Sequence, residues 1–331
     1  MIPLKNHCLH TINILPFYLF TILTLFGCSQ RSDQTHTAEA QEIQEAISDP
    51  PGLVQVKAVG LTLEAPDEIP SGWTTFRLSN ETDMVHFGYI YRVPEGKGVE
   101  DHKQLAAVFQ NFMDDFNEKP RSAPDAGVEI PEWFSKVVIN GGPGLISPRK
   151  IAETTVFVEP GTYLMECYIK TDGIFHSYNP APDGYGMVHE FTVTEENNGV
   201  QAPMPTINIS VSGETGLNVS GDITVGSHVV GVNFLDQKVH ENFAGHDVHL
   251  VRLSEGTDLD EVEAWMDWTK PTGLQTPAPA DFLGGTHEMP EGGTAYFHVD
   301  LEPGSYAWIS EVPNAQEKGL LVPFEVADHV P

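Results

Sequence analysis

Short apolar runs broken by Gly and Pro recur along most of the chain, a rhythm that predicts strands closed by turns. Thirty Gly and 25 Pro in 331 residues supply the turns. Two stretches depart from this rhythm. Leu105, Val108, Phe109, Phe112 and Phe116 recur at helical spacing, with Asp and Gln on the other face. Leu259, Val262, Trp265 and Met266 do the same after Thr257-Asp258, which stand in an N-cap position. Each stripe predicts one helix whose apolar face packs on a sheet. A third apolar run, Ile12 to Phe26, follows Lys5 and ends in Gly27-Cys28. It is too short for a spanning helix and has the layout of a secretory signal.

The two halves of the chain repeat each other in order. Ile69-Pro70-Ser71-Gly72 aligns with Ile223-Thr224-Val225-Gly226, and Tyr91-Arg92-Val93-Pro94-Glu95-Gly96 with Val251-Arg252-Leu253-Ser254-Glu255-Gly256. Gly141-Gly142 then answers Gly284-Gly285, and Glu159-Pro160-Gly161-Thr162-Tyr163 answers Glu302-Pro303-Gly304-Ser305-Tyr306. Last, Gly186-Met187 and Phe191-Thr192-Val193 match Gly319-Leu320 and Phe324-Glu325-Val326. The expected organisation is a signal over 1–27, a polar tether over 28–51, one domain over 52–196, a linker over 197–205 and a second domain over 206–330. The expected class is all-β, with one helical insertion in each repeat between its middle strand and its double glycine.

Charge narrows the partners. The chain carries 17 Lys and Arg against 47 Asp and Glu, for a net charge of −30. Such a surface repels nucleic acid and anionic headgroups, so nucleic-acid binding is excluded. It favours a cationic partner or a metal cation, and it also keeps copies of a secreted protein apart.

Leu25-Phe26-Gly27-Cys28 resembles the lipobox of bacterial lipoproteins, in which the Cys is acylated and becomes the new N-terminus. The resemblance implies lipidation at Cys28 and attachment to a membrane of the cell envelope. More than one hydrocarbon chain makes such an anchor stable. Ser29 after the Cys implies the outer membrane, facing the periplasm or the surface, and residues 29–51 read as a tether.

Cys8 leaves with the signal and Cys28 takes lipid, so Cys167 is the one thiol of the folded part. An unpaired thiol in an oxidising compartment is either a buried inert residue or a metal ligand. Its surroundings bear on the choice. His86 stands in Asp83-Met84-Val85-His86-Phe87, Cys167 ends Gly161-Thr162-Tyr163-Leu164-Met165-Glu166-Cys167, and His176 and Gly186-Met187 follow. This order resembles the cupredoxins, or blue-copper proteins, which are Greek-key β-sandwiches. The resemblance implies two tandem cupredoxin-like sandwiches and one copper ion in the first, held by His86, Cys167, His176 and Met187. Two imidazoles and a thiolate with a weak thioether suit both copper oxidation states.

The second repeat acts as an internal control. His246 aligns with His86, but Ser310 stands for Cys167 and Leu320 for Met187, and the loop between them is ten residues shorter and lacks His. The second repeat is therefore expected to lack this copper site. His240, His246 and His249 lie close in sequence without a spacing that fixes a metal geometry, and His189 reads as a strand residue facing solvent. One departure stands out in the first repeat: ten residues separate His176 from Met187, and the insertion Ser177–Tyr185 bears most on the axial role of Met187.

The function implied is electron transfer or copper handling on a membrane tether, with a redox or copper-donor protein as partner and no enzymatic activity. A metal-free β-sandwich that binds a partner or builds an envelope assembly is the alternative. Copper enzymes of the nitrite reductase and multicopper oxidase kind place a His beside the thiolate ligand, where this chain has Glu166 and Tyr168. Hydrolase elbows, phosphate loops and zinc-protease motifs are absent from the sequence.

Overall fold

Strands dominate because β-branched and aromatic residues alternate with polar ones between the Gly and Pro turns. The computed structural model describes residues 51–181 and 184–328. The signal, the lipobox with Cys28 and nearly all of the tether lie outside the described residues.

The first half contains β1 (Leu53–Val59), β2 (Thr62–Glu64), β3 (Glu68–Asn80), β4 (Tyr89–Arg92), β5 (Val138–Ile139), β6 (Ile151–Val158), β7 (Gly161–Glu166), β8 (Lys170–Thr171), β9 (Ile174–Phe175) and β10 (Val188–Asn197). The second contains β11 (Ile207–Ser212), β12 (Gly216–Gly221), β13 (Gly226–Phe234), β14 (Val248–Leu253), β15 (Asp281–Thr286), β16 (Thr294–Leu301), β17 (Gly304–Ile309) and β18 (Leu321–Val326). The two stripes form α1 (Val99–Phe116) and α2 (Leu259–Met266). Asp258 caps α2 by accepting from the Asp260 N–H. Leu105 and Val108 are buried, whereas Phe116 is exposed, so the buried stripe of α1 ends one turn earlier than the apolar pattern does.

Both halves use the same pairings. β1 lies parallel to β3, and β11 parallel to β13; β3 runs antiparallel to β6, and β13 to β16. On the other layer β7 lies between β4 and β10, and β17 between β14 and β18. The register repeats residue for residue. Gly72 faces Val158 as Gly226 faces Leu301, and Arg92 faces Tyr163 as Arg252 faces Tyr306. Between the layers, Phe76 meets Phe191 at 5.9 Å between ring centroids in the first half, and Phe297 meets Trp308 at 5.9 Å in the second. Each fully buried large apolar side chain contributes roughly 1.5–3 kcal/mol.

The Glu-Pro-Gly-x-Tyr repeat has a physical cause. The Tyr163 hydroxyl donates to the Glu159 carbonyl (2.9 Å) and accepts from its N–H (3.1 Å); Tyr306 does the same to Glu302 (2.9 and 3.2 Å). Each tyrosine fastens the turn before its own strand, as in the corner of immunoglobulin-type sandwiches. Arg92 pairs with Glu159 and Arg252 with Glu302 beside them.

The double glycines mark close backbone approaches. Gly142 (φ 107°) lies where a Cβ would come within 2.0 Å of the Gly88 carbonyl oxygen, and Gly285 (φ 145°) where one would come within 2.2 Å of the Val248 oxygen. The same stretches join the halves: Gly284 N–H donates to Leu145 O (2.8 Å), Gly144 N–H to Gly285 O (3.1 Å) and Ser147 N–H to Phe282 O (3.0 Å). Tyr296, Phe297 and His298 of β16 also pair with Thr155, Thr154 and Glu153 of β6, which makes one continuous sheet across both halves.

Candidate metal centre

Cys167 follows the last residue of β7. Pairing between β7 and β10 ends at Glu166 and Val188, and one further bond, Cys167 N–H to Met187 O (3.0 Å), extends it. His86 sits between β3 and β4, where it makes a backbone bridge to Ile146 in both directions (3.1 and 2.8 Å). That bridge fixes the ring's origin opposite the thiol.

His176 returns to Cys167 by a tight hairpin. β8 and β9 are joined by Asp172-Gly173, both at positive φ (53° and 80°), as a two-residue turn between right-twisted strands requires. The His176 N–H then donates to Ile169 O at 2.7 Å. Part of the second half braces this hairpin. Lys170, fully buried, donates its Nζ to the carbonyls of Trp268 (2.8 Å) and Lys270 (2.7 Å), and Gln275 Oε1 accepts from Gly173 N–H (2.9 Å).

The long insertion does not carry His176 away. It leaves at Ser177 and comes back at Gly186, whose backbone lies so close that a Cβ there would stand 1.9 Å from the Ser177 carbonyl oxygen. Met187 N–H consequently donates to His176 O at 2.7 Å, so the base of the insertion is pinched. Met187 is fully buried and bonded through its backbone to both Cys167 and His176.

One donor atom from each of His86, Cys167 and His176 lies within 4.8 Å of the other two. Cys167 Sγ stands 3.5 Å from His86 Nδ1, and the two imidazole centroids are 5.1 Å apart. His176 Nε2 is held by Thr171 Oγ1 at 2.9 Å, while its Nδ1 is buried without a hydrogen-bond partner, as is Nε2 of His86. Burial, and then the charge of His176, hold His86 down to about 3; burial holds His176 down to about 4. Both rings are therefore neutral at ordinary pH, the state a metal ligand needs. Burial pushes the Cys167 thiol up to about 12 against the opposing pull of the Ile169 and Phe87 N–H groups. A bound cation would take the place of that proton. Orphaned imidazole nitrogen, a sealed thiol and these two backbone donors fit a thiophilic ion such as copper.

The other histidines separate. His240 Nε2 lies 3.1 Å from His246 Nδ1, and His246 Nε2 lies 3.0 Å from Asp236. His249 faces away from them, into a second buried group with Asp247, His287 and Glu311. His189 is half-buried and bonded to the Pro66 carbonyl (3.2 Å), which corrects the expectation that it faces solvent. Thr171 and the Lys170 brace escaped the sequence reading, although Asp172-Gly173 was a legible hairpin signal. Nothing in the spacing of Asp247, His287 and Glu311 pointed to one another.

No protein-family model matches the chain, and no curated protein does. Solved structures resemble it weakly. Dithionite-reduced auracyanin from Roseiflexus castenholzii is 16% identical, with a TM-score of 0.28, over 37% of this chain and 95% of its own. Auracyanin A, a blue copper protein of Chloroflexus aurantiacus, is 17% identical with a TM-score of 0.26, over 44% of this chain and 100% of its own. The copper-containing nitrite reductase of Thermus scotoductus is 11% identical with a TM-score of 0.20, over 84% of this chain and 62% of its own. At TM-scores this low the overlaps carry no argument about this chain. The weight rests on the geometry of the buried donors.

Proposed function

We propose that this protein is a cupredoxin-like copper protein of the cell envelope, anchored through lipid on Cys28 and serving electron transfer or copper handling. The observation that carries the copper assignment is the convergence of His86, Cys167 and His176, all buried, within 4.8 Å of one another. Met187 would supply the weak thioether. Copper held there would supply one-electron chemistry between Cu(I) and Cu(II). The chain's own part is to keep two imidazoles neutral, to shield the thiol from water and to hold His176 and Met187 beside Cys167 through the backbone. The acidic surface favours a cationic redox or copper-donor partner.

Cu(II) added to the metal-free protein tests this reading. One equivalent should give an intense visible charge-transfer band. Cys167→Ser should abolish the band, since sulfur supplies the transition, and Met187→Leu should keep it with a shifted potential. A protein that stays colourless and retains no stoichiometric copper would leave the metal-free envelope module as the better account.

A further inference from the structure

Buried charge also collects in the second half. Asp247, His249, His287 and Glu311 each present one donor atom within 4.8 Å of the others. Asp247, His249 and His287 are 0% exposed and Glu311 5%. Asp247 precedes β14 and His249 is its second residue, His287 follows β15, and Glu311 lies two residues beyond β17. From the first half, the Tyr168 hydroxyl donates to Glu311 Oε2 at 3.2 Å.

Outer hydrogen bonds aim this group. His249 Nδ1 accepts from Leu145 N–H at 3.1 Å, so the neutral ring carries its proton on Nε2, 2.7 Å from Asp247 Oδ2. Asp247 Oδ1 accepts from Ser310 Oγ and from Glu311 N–H, both at 2.7 Å. Ser310 is the residue that replaces the copper thiolate, and here it orients a carboxylate instead. Such outer contacts are what hold metal ligands in place.

His287 is the observation that calls for a ligand. Its ring is packed against Phe87 (4.5 Å) and Tyr89 (5.3 Å) and is fully buried, yet neither nitrogen has a hydrogen-bond partner. The nearest carboxylate outside the group, Glu288, is 3.9 Å away. Leaving such a buried group unsatisfied is costly. Carboxyl groups crowd the same space, with Asp247 and Glu311 both buried there. A cation would relieve both conditions at once.

We propose that Asp247, His287 and Glu311 form a second metal site, taking a divalent first-row transition ion through one imidazole and two carboxylates, with His249 holding Asp247 in place from outside. This donor set is harder than the thiolate cluster and suits zinc, manganese or iron(II) more than copper(I). A cavity of about 130 Å³ borders the site at Glu311, and its wall also includes Glu288, Tyr89, Tyr168 and His102. Tyr168, next in sequence to Cys167, is hydrogen-bonded to Glu311 and so links the two candidate sites.

The full chain carrying Cys167→Ser removes the thiolate cluster, so the outcome does not depend on the copper reading. Dialysed against Zn(II), it should retain one equivalent by elemental analysis. Adding His287→Gln should weaken retention at least a hundredfold, and adding Ser310→Ala, which only frees Asp247, should weaken it tenfold to a hundredfold. Retention of no zinc by the Cys167→Ser protein, or retention that His287→Gln leaves unchanged, would overturn the proposal. Should His287→Gln not fold, Co(II) added to the Cys167→Ser protein decides. Ligand-field bands of a nitrogen- and oxygen-bound ion without thiolate charge transfer support the site, and their absence refutes it.

Discussion

Cys167 and Ser310 occupy the same position in the two halves: each donates its backbone N–H over 3.0 Å to the residue closing its loop, Met187 and Leu320 respectively. The register around them repeats as well, with Val188 facing Glu166 and Leu321 facing Ile309. One frame therefore carries a thiol with a histidine-bearing loop in one copy, and a hydroxyl with a short loop in the other.

From this equivalence a test of sufficiency follows. Ser310→Cys restores the sulfur in the second half but not a second imidazole from its loop, because residues 311–319 contain no His. The variant should show no more than the single charge-transfer band of the wild type after Cu(II) is added. A doubled band intensity would show that the loop histidine is dispensable.

Gly186 is the pinch that lets the insertion depart without moving His176. Gly186→Ala would set a methyl group 1.9 Å from the Ser177 carbonyl oxygen, so the backbone must shift. We expect a loss of about 3 kcal/mol in unfolding free energy, the upper range for overpacking. The copper band should also weaken, because Met187 N–H and His176 O part company. Urea denaturation and visible titration on the same sample check both effects, and an unchanged band would separate the pinch from the site.

The buried imidazoles give the metal-free protein a defined pH response. His86 and His176 are held down to about 3 and about 4, from 6.5 in the unfolded chain. Below pH 6.5 the unfolded state binds more protons than the native state, so stability falls as pH falls through that window and is fully present above it. Chemical denaturation at pH 7 and at about pH 4.5 should show this loss. His86→Gln should make the slope shallower without flattening it, since His287 is also held down, to about 3. A slope of opposite sign would contradict the neutral assignment of both rings.

The proposed lipid anchor rests on Cys28, which lies outside the described residues. Cys28→Ala should leave the protein soluble or unprocessed, whereas the wild type should sediment with membranes and carry acyl chains on its N-terminal Cys. Mass spectrometry of the mature N-terminus is the direct check. An unmodified N-terminus at another residue would refute the lipoprotein reading.

The sequence by itself determined the strand rhythm, the two helices and the duplicated frame, because these are local: periodicity sets which face is buried, and Glu-Pro-Gly-x-Tyr builds the same corner wherever it occurs. The order of His86, Cys167, His176 and Met187 along the chain carries the resemblance that implied them as a set, and the structure brings the first three within 4.8 Å. What only the tertiary structure decided was whether the insertion would pull His176 away, and the answer lay in a contact between Gly186 and Ser177 that no spacing rule contains. The second group was illegible for a stronger reason. Asp247, His287 and Glu311 come from three separate strand ends, and the Tyr168 that meets them comes from the other half. Their convergence follows from how the sheets pack, and a pattern read along the chain carries no information about it.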